Sequence, residues 1–212
     1  MTQNRDALFE IMTGQPVIPV IVIDKADDAV PLAKALVAGG LPAIEITLRT
    51  DAAMSAIERI AGEVPEAVVG AGTVLNGQQY EQVVSAGARF AVSPGFTREI
   101  ASASLGSAVP LLPGSTTASE IMRAIELGYT LLKFFPAEQS GGSSFLKSLA
   151  SPFGGVNFCP TGGVSVSNAK DYLSLPNVLC VGGSWVAPKA AVEAGDWTTI
   201  ETLAKEASQL KA

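Results

Sequence analysis

One lysine lies inside an apolar run of the sequence and is its clearest candidate for chemistry. Lys133 occupies the middle of "LLKFF" (131–135), which otherwise has the composition of a buried β-strand, and an unpaired ammonium is costly in such a place. A structural lysine would extend its charge to solvent or form a buried ion pair. A catalytic lysine would attack a carbonyl group as the free amine, which burial and a neighbouring cation both favour.

Two charged residues in a second strand-like stretch, "EITLR" (45–49), could act with Lys133. The chain contains no histidine, so proton transfer would depend on Glu, Asp, Lys, Tyr or water. Glu45 is the acidic residue placed inside a predicted strand, where it could be a general base or simply the ion-pair partner of Lys133. Arg49 could be a solvated residue after the strand or a planar clamp for a substrate carboxylate.

Two pairs of glycines follow the last two strand-like stretches, in "TGGV" (161–164) and "VGGS" (181–184). Backbone N–H groups exposed at such loops, together with the Ser184 hydroxyl, could form a cup for a phosphate group. The pairs could equally be tight strand exits. A third motif, "GAGT" (70–73), is a weaker candidate, because its glycines are more simply explained by a turn; Thr73 is its polar residue at the rim.

The elements that must position these residues alternate between strand-like and helix-like stretches, at a spacing of about 20 to 25 residues. The predicted strands are 20–23, 43–48, 67–73, 90–94, 110–115, 131–137, 157–163 and 178–184. The clearest helical stretches are 27–40, 51–62, 77–88 and 117–128, with further helices around 4–13 and 196–210. Several helical stretches end in glycine, as is typical of helix C-termini.

This alternation predicts a single domain over residues 1–212 with an α/β fold, namely a (β/α)8 TIM barrel with an extra N-terminal helix. The main alternative, an open doubly wound sheet, lacks its usual marker, because Leu75 stands where G-x-G-x-x-G needs a third glycine. In a barrel, alternation of side chains turns Glu45, Lys133 and Phe135 towards the axis. Since the second and sixth strands lie opposite each other, we expect Glu45 and Lys133 to meet.

Composition restricts the classes of function. The chain has 212 residues, 48% of them hydrophobic and 16% charged, which is typical of a compact enzyme. No signal peptide is evident and no apolar run reaches the roughly 18 residues of a membrane span, so we expect a cytoplasmic protein without a membrane partner. The net charge of −6 argues against nucleic acid as a partner.

The cysteines and the missing histidines argue against a metal site. Two cysteines, Cys159 and Cys180, form no disulfide framework and cannot complete a typical zinc site without histidine. We therefore expect them to be buried small residues. The sequence predicts no metal and no cofactor.

Six motifs, in the same order along nearly the whole chain, closely resemble those of the bacterial 2-keto-3-deoxy-6-phosphogluconate (KDPG) aldolases, lyases of the Entner–Doudoroff pathway. They are "EITLRT" (45–50), "VGAGTVLN" (69–76), "SPGFT" (93–97), "KFFPAE" (133–138), "FCPTGG" (158–163) and "CVGGSW" (180–185). The resemblance implies a class I, Schiff-base aldolase that cleaves a small anionic keto acid, the KDPG sugar phosphate, to pyruvate and glyceraldehyde 3-phosphate. It also implies a homotrimer and, in many members, cleavage of 4-hydroxy-2-oxoglutarate.

The resemblance also assigns roles to residues. Lys133 would form the imine and Glu45 would transfer protons. The implied substrate contacts are Arg49 and Thr73 for the pyruvate carboxylate, Pro94 and Phe135 for the pocket wall, Thr161 for stereochemistry, and Gly162, Gly163, Gly183 and Ser184 for the phosphate.

Two pairs of residues bear on the substrate. Ser115 and Thr116 stand where relatives commonly have Ile-Ser, which predicts a more polar rim, whereas Pro160 and Thr161 favour the gluconate over the galactonate epimer. The alternatives are a phosphogalactonate-type aldolase, an aldolase that prefers 4-hydroxy-2-oxoglutarate, a metal-dependent aldolase, a phosphate-binding barrel isomerase and a non-catalytic sugar-acid binding protein.

Overall fold

The computed structural model describes residues 3–210, so the first two and last two residues of the predicted domain lie outside it. Its strands are β1 (Val17–Ile21), β2 (Ala43–Thr47), β3 (Val68–Gly72), β4 (Phe90–Val92), β5 (Leu111–Leu112), β6 (Leu131–Phe134), β7 (Asn157–Pro160) and β8 (Val181–Gly183). Its helices are α1 (Arg5–Thr13), α2 (Ala29–Ala38), α3 (Ala53–Glu63), α4 (Gly77–Ser85), α5 (Arg98–Ser104), α6 (Ala118–Glu126), α7 (Gly142–Leu149), α8 (Ala169–Leu173), α9 (Lys189–Ala194) and α10 (Trp197–Ser208). None of the helices in this part of the chain has the length and apolarity that crossing a bilayer requires.

The eight predicted strands are all present, although most are shorter than expected, and the first begins earlier. Pro19 precedes the predicted first strand (20–23) but lies inside β1, where it is in register with Gly183. The pairing of β1 with β2 begins only at Val20, so the missing N–H of Pro19 falls before that ladder. The glycines that end the helices adopt left-handed φ angles at Gly40, Gly87 and Gly128, as the sequence predicts.

The parallel strands form a six-stranded sheet in the order β5-β4-β3-β2-β1-β8 and a two-stranded sheet of β6 and β7. Isolated parallel bridges connect these two sheets at both of their edges. Gly114 pairs with Lys133 beside β5 and β6, and Thr161 pairs with Gly182 between the ends of β7 and β8. The result is an α/β fold with a curled parallel sheet.

Side chains of alternate strand residues enter two separate apolar cores, as the predicted alternation requires. Ile44 and Leu132 belong to an outer core shared with the helices, whereas their neighbours Ala43 and Leu131 belong to a smaller inner core. Helix α1 contributes Leu8 and Met12 to the inner core, because residues four apart share a helix face. The inner faces of β2 and β6, which carry Ala43 and Leu131, therefore also carry Glu45 and Lys133.

The seam between β5 and β6 is held at its N-terminal end by the buried side chain of Gln3. Its Nε2 donates to the carbonyl oxygens of Leu111 (2.9 Å) and Leu131 (3.0 Å). Its Oε1 accepts from the backbone N–H groups of Thr130 and Leu131, both at 3.2 Å. One amide side chain thus satisfies four backbone groups where the regular ladder is interrupted.

We expect Gln3→Ala to lower the free energy of unfolding by about 2 kcal/mol, because it leaves buried backbone groups without partners. Urea denaturation followed by circular dichroism measures the change. Asn4→Ala is the matched control, since Asn4 makes a single exposed bond, of 3.2 Å, to the Ala108 carbonyl. Equal destabilisation by the two variants would contradict the proposed importance of the seam.

Candidate active site

Lys133 and Glu45 form a buried ion pair between β6 and β2. The distance from Lys133 Nζ to Glu45 Oε1 is 3.4 Å, and the two side chains are only 5% and 4% exposed. The sequence predicts this meeting from strand alternation alone. A charged pair so thoroughly removed from water costs desolvation energy, and other enzymes retain such groups where chemistry needs them.

Gly72 on β3 provides the space that Glu45 occupies. Residues 43–47 of β2 pair in register with residues 68–72 of β3, and a Cβ built at Gly72 would overlap the Glu45 carboxylate. The sequence interpretation treated this glycine as part of a turn and missed its role. The signal that could have found it is a glycine on the strand next to an inward-facing acid.

The Phe135 ring lies beside the lysine, with its centroid 5.2 Å from Lys133 Nζ. The backbone on both sides of Lys133 is fixed by the segment after β5. Lys133 N–H donates to the Pro113 carbonyl (2.8 Å), and Ser115 N–H donates to the Lys133 carbonyl (2.9 Å). These bonds hold the lysine at the end of β6 nearest the loops.

Arg49 is exposed at the end of β2, where its Nε donates to Thr73 Oγ1 at 3.2 Å. Thr73 has a φ angle of 60°, which is unusual for a β-branched residue. Such strain is typical of positions where function fixes the backbone. The two residues expected to hold a carboxylate are therefore in contact.

A cavity of about 220 Å³ opens at this end of the strands. Its lining residues are Val20, Val22, Arg49, Phe135, Thr161, Gly162, Gly163, Val164, Gly182 and Ser184. The cavity thus brings together the cationic Arg49, the aromatic neighbour of Lys133 and most of the predicted phosphate loops.

Three of the predicted substrate contacts, Thr73, Pro94 and Gly183, are not among the residues that line this cavity. Pro94 lines a separate cavity of about 210 Å³ together with Phe96 and Thr97. Gly183 is buried with its Cα against the Trp185 ring, where a Cβ would clash, and the neighbouring Gly182 lines the cavity. Substrate contacts by Pro94 and Gly183 therefore remain predictions.

The loop after β7 needs its glycines for two reasons. Gly162 and Gly163 have φ angles of +97° and +78°, in the left-handed region that favours glycine. Thr161, only 7% exposed, packs its side chain against the Cα of Gly182, so that residue also has no room for a side chain. Both features bring bare backbone to the cavity, as a phosphate cup requires.

Ser115 and Thr116 do not create the polar rim that the sequence predicts. Ser115 is 2% exposed and its hydroxyl has no hydrogen-bond partner, while the Thr116 hydroxyl donates to the Phe135 carbonyl at 2.6 Å. The cavity is lined by other residues. The rim expectation is therefore corrected: the Ser115 hydroxyl is buried without a hydrogen-bond partner, and the Thr116 hydroxyl donates to the backbone.

The two cysteines are buried, as expected. A hydrogen bond to Cys159 and then burial raise the pKa of the Cys180 thiol well above its ordinary value, so this thiol stays protonated and unreactive at neutral pH. Within residues 3–210 no three side chains of His, Cys, Asp or Glu are grouped as metal ligands would be.

Comparison with known proteins identifies the family of this chain. The family model described as "Aldolase: KDPG and KHG aldolase" matches residues 8–203. The KHG/KDPG aldolase of Escherichia coli K12 is 55% identical over 197 residues, which cover 93% of this chain and 92% of that one.

Two solved structures share the fold over nearly their whole length. The KDPG aldolase of Legionella pneumophila, with pyruvate captured as a covalent carbinolamine, has a TM-score of 0.93 and 47% identity, covering 95% of this chain and 98% of that one. The KDPG aldolase of Zymomonas mobilis, solved with 3-phosphoglycerate, has a TM-score of 0.93 and 49% identity, covering 98% and 97%. The chain that holds the buried Lys133–Glu45 pair therefore belongs to the KDPG and KHG aldolase family and is an aldehyde-lyase.

Proposed function

We propose that this protein is a class I aldolase that cleaves KDPG to pyruvate and glyceraldehyde 3-phosphate. The observation that carries the proposal is the buried Lys133–Glu45 pair, with a separation of 3.4 Å, next to a cavity that has a cation at one side and bare glycines at another. The covalent pyruvate adduct of the Legionella relative supports imine chemistry in this family.

The first half of the reaction builds an electron sink. The free amine of Lys133 adds to the C2 ketone of the substrate and gives a carbinolamine, which loses water to form a protonated imine. Glu45 lies within reach of the nitrogen and can take up and return the protons of these steps. The Phe135 ring covers the amine and helps to keep bulk water away from it.

The second half breaks the carbon–carbon bond. Glu45, directly or through a water, removes the proton of the C4 hydroxyl, and the electrons of the C3–C4 bond move into the imine. Glyceraldehyde 3-phosphate leaves and an enamine remains. Protonation at C3 and hydrolysis of the imine then release pyruvate and restore Lys133.

The cavity orients the substrate between two anion sites. Arg49 and Thr73 would hold the carboxylate next to the reacting ketone. Gly162, Gly163 and Ser184 would hold the phosphate through N–H groups and a hydroxyl. Thr161, which lines the same cavity, is the residue we assign to stereochemical control at C4.

We expect Arg49→Lys to raise KM for the keto acid by about tenfold and to change kcat less, because lysine lacks the planar pair of donors and the bond to Thr73. Steady-state kinetics with KDPG measure both constants. Arg98→Lys, at an exposed residue of α5, is the matched control. A large fall in kcat with unchanged KM would show that Arg49 acts in the chemical step.

The proposed reaction is tested by coupling pyruvate release from KDPG to lactate dehydrogenase and NADH. An isomerase would consume substrate without producing pyruvate, and a non-catalytic binding protein would show a ligand-induced rise in Tm without turnover. A metal-dependent aldolase would lose activity in a chelator, whereas we expect none to be lost. The phosphogalactonate epimer is assayed in parallel and should react more slowly.

A second candidate substrate is 4-hydroxy-2-oxoglutarate, since the matched family model includes KHG aldolases and the Escherichia coli relative carries both names. We expect turnover of both compounds, with KDPG preferred because only KDPG offers a phosphate to the glycine loop. A higher kcat/KM for 4-hydroxy-2-oxoglutarate would reverse this order.

The remaining expectations concern architecture and setting. We infer that the two sheets, joined by bridges at both edges, make one closed (β/α)8 barrel domain. A homotrimer and a cytoplasmic location, with small anionic metabolites as partners and neither nucleic acid nor membrane, stay predictions. Sedimentation equilibrium tests the trimer.

A further inference from the structure

We propose that Glu138, held by the hydroxyl of Tyr172, is a positioning residue that shapes the phosphate cup. The cup is the loop of Gly162 and Gly163 after β7. This inference rests on the proposed function, because it deepens the role assigned to that loop. Glu138 itself does not contact the reacting atoms.

Glu138 supports the loop through both its backbone and its side chain. Its N–H donates to the Gly162 carbonyl at 3.1 Å. Its Cβ and Cγ lie directly against the Cα of Gly163, since a Cβ built there would be 2.6 Å from Glu138 Cγ. The side chain therefore fills the space behind the glycine and fixes the position of its peptide groups.

Tyr172 of α8 fixes the carboxylate of Glu138. The Tyr172 hydroxyl donates to Glu138 Oε1, and the tyrosine is fully buried. Burial and then the hydrogen bond to Glu138 raise the pKa of Tyr172, so the hydroxyl remains a donor at every pH at which the protein would work. Glu138 is otherwise exposed, and this bond is the constraint that turns its charge towards α8.

The direction of that charge matters to an anionic ligand. The proposed cup consists of backbone N–H groups and the Ser184 hydroxyl, and its lining residues include no lysine. A carboxylate that moved freely beside Gly163 would repel a phosphate dianion at short range. The Tyr172 hydroxyl holds the Glu138 carboxylate away from the cup, while the methylene groups of Glu138 continue to support the loop.

The residue before α8 holds the other side of the same loop. Asn168 Nδ2 donates to the Gly163 carbonyl at 3.1 Å, and Asn168 Oδ1 accepts from the Ser165 N–H at 2.8 Å. The loop is thus attached at both ends of one short helix, through Asn168 and through Tyr172. Both attachments use carbonyl groups or side chains, so the N–H groups of Gly162 and Gly163 remain available to a ligand.

The test is Tyr172→Phe, which removes one hydroxyl and keeps the ring. We expect a fall of about tenfold in affinity for 3-phosphoglycerate, measured by calorimetry, and a similar rise in KM for KDPG. The kcat for KDPG, the KM for 4-hydroxy-2-oxoglutarate and the yield of pyruvate trapped on the enzyme by borohydride should change less than about twofold. Glu138→Ala should weaken the same phosphorylated ligands, because it removes the side-chain atoms that fill the space behind Gly163.

Tyr80→Phe is the matched control. Tyr80 is also a buried tyrosine, but its hydroxyl donates to the Val109 carbonyl, which does not belong to the glycine loop. It should leave all ligand constants unchanged. If Tyr172→Phe weakens phosphorylated and unphosphorylated ligands equally, or weakens neither, the inference is wrong. If the wild-type protein binds 3-phosphoglycerate but does not cleave KDPG, the proposed reaction fails, and the calorimetric comparison still decides the role of Glu138.

Discussion

Replacing Lys133 by methionine is expected to lower turnover of KDPG by at least about 10⁴-fold, because it removes the amine of the proposed imine, which serves as the electron sink. Methionine keeps the volume of the side chain in the apolar surroundings of β6. Incubation with pyruvate and borohydride should add mass to the wild-type protein at the peptide that contains residue 133. The variant should acquire no adduct.

The control for this experiment is Lys147→Met, at an exposed lysine of α7, which should retain both activity and adduct. Removal of Lys133 leaves the Glu45 carboxylate buried without its partner, which costs about 3 to 5 kcal/mol in comparable cases. The double variant Lys133→Met/Glu45→Gln removes that charge and should restore much of the lost stability while remaining inactive. An adduct of equal yield in Lys133→Met would remove the lysine from the mechanism.

The approach of Glu45 and Lys133 could be predicted from sequence because it depends on periodicity. Eight strand-like stretches predict a ring in which β2 and β6 lie opposite each other, and the two-residue alternation of a strand predicts which side chains face inwards. The Ile44 and Leu132 neighbours, which lie in the outer core, are the apolar half of the same pattern. Each of these inferences uses a regular feature of the backbone, so small errors in strand boundaries did not matter.

The details that the sequence did not predict depend on loops and on contacts between distant residues. That Pro94 lines a second cavity depends on the course of the segment after β4, which strand periodicity does not describe. The seat that Gly72 provides for Glu45 is a contact across two strands. The hydroxyl of Thr116 is occupied by the Phe135 carbonyl, so a polar residue type alone did not indicate a polar rim.

Replacing Glu45 by glutamine is expected to separate imine formation from proton transfer. Glutamine has nearly the same shape, so it fits the space beside Gly72, but it cannot accept a proton. Turnover of KDPG should fall by about 10²-fold or more, the usual contribution of a positioned general base. Trapping of pyruvate by borohydride should persist, because Lys133 is still present.

The exchange of pyruvate methyl protons with D₂O, followed by proton NMR, isolates the step that Glu45 would perform. Formation of the enamine from the pyruvate imine requires removal of a C3 proton, and its return from solvent introduces deuterium. Glu201→Gln, at an exposed residue of α10, should exchange at the wild-type rate, whereas Glu45→Gln should be slowed as strongly as in cleavage. Exchange at the wild-type rate in Glu45→Gln would mean that water alone is the base. The buried carboxylate at 3.4 Å from the amine would then have a structural role, as the charge partner that allows a lysine to lie inside β6.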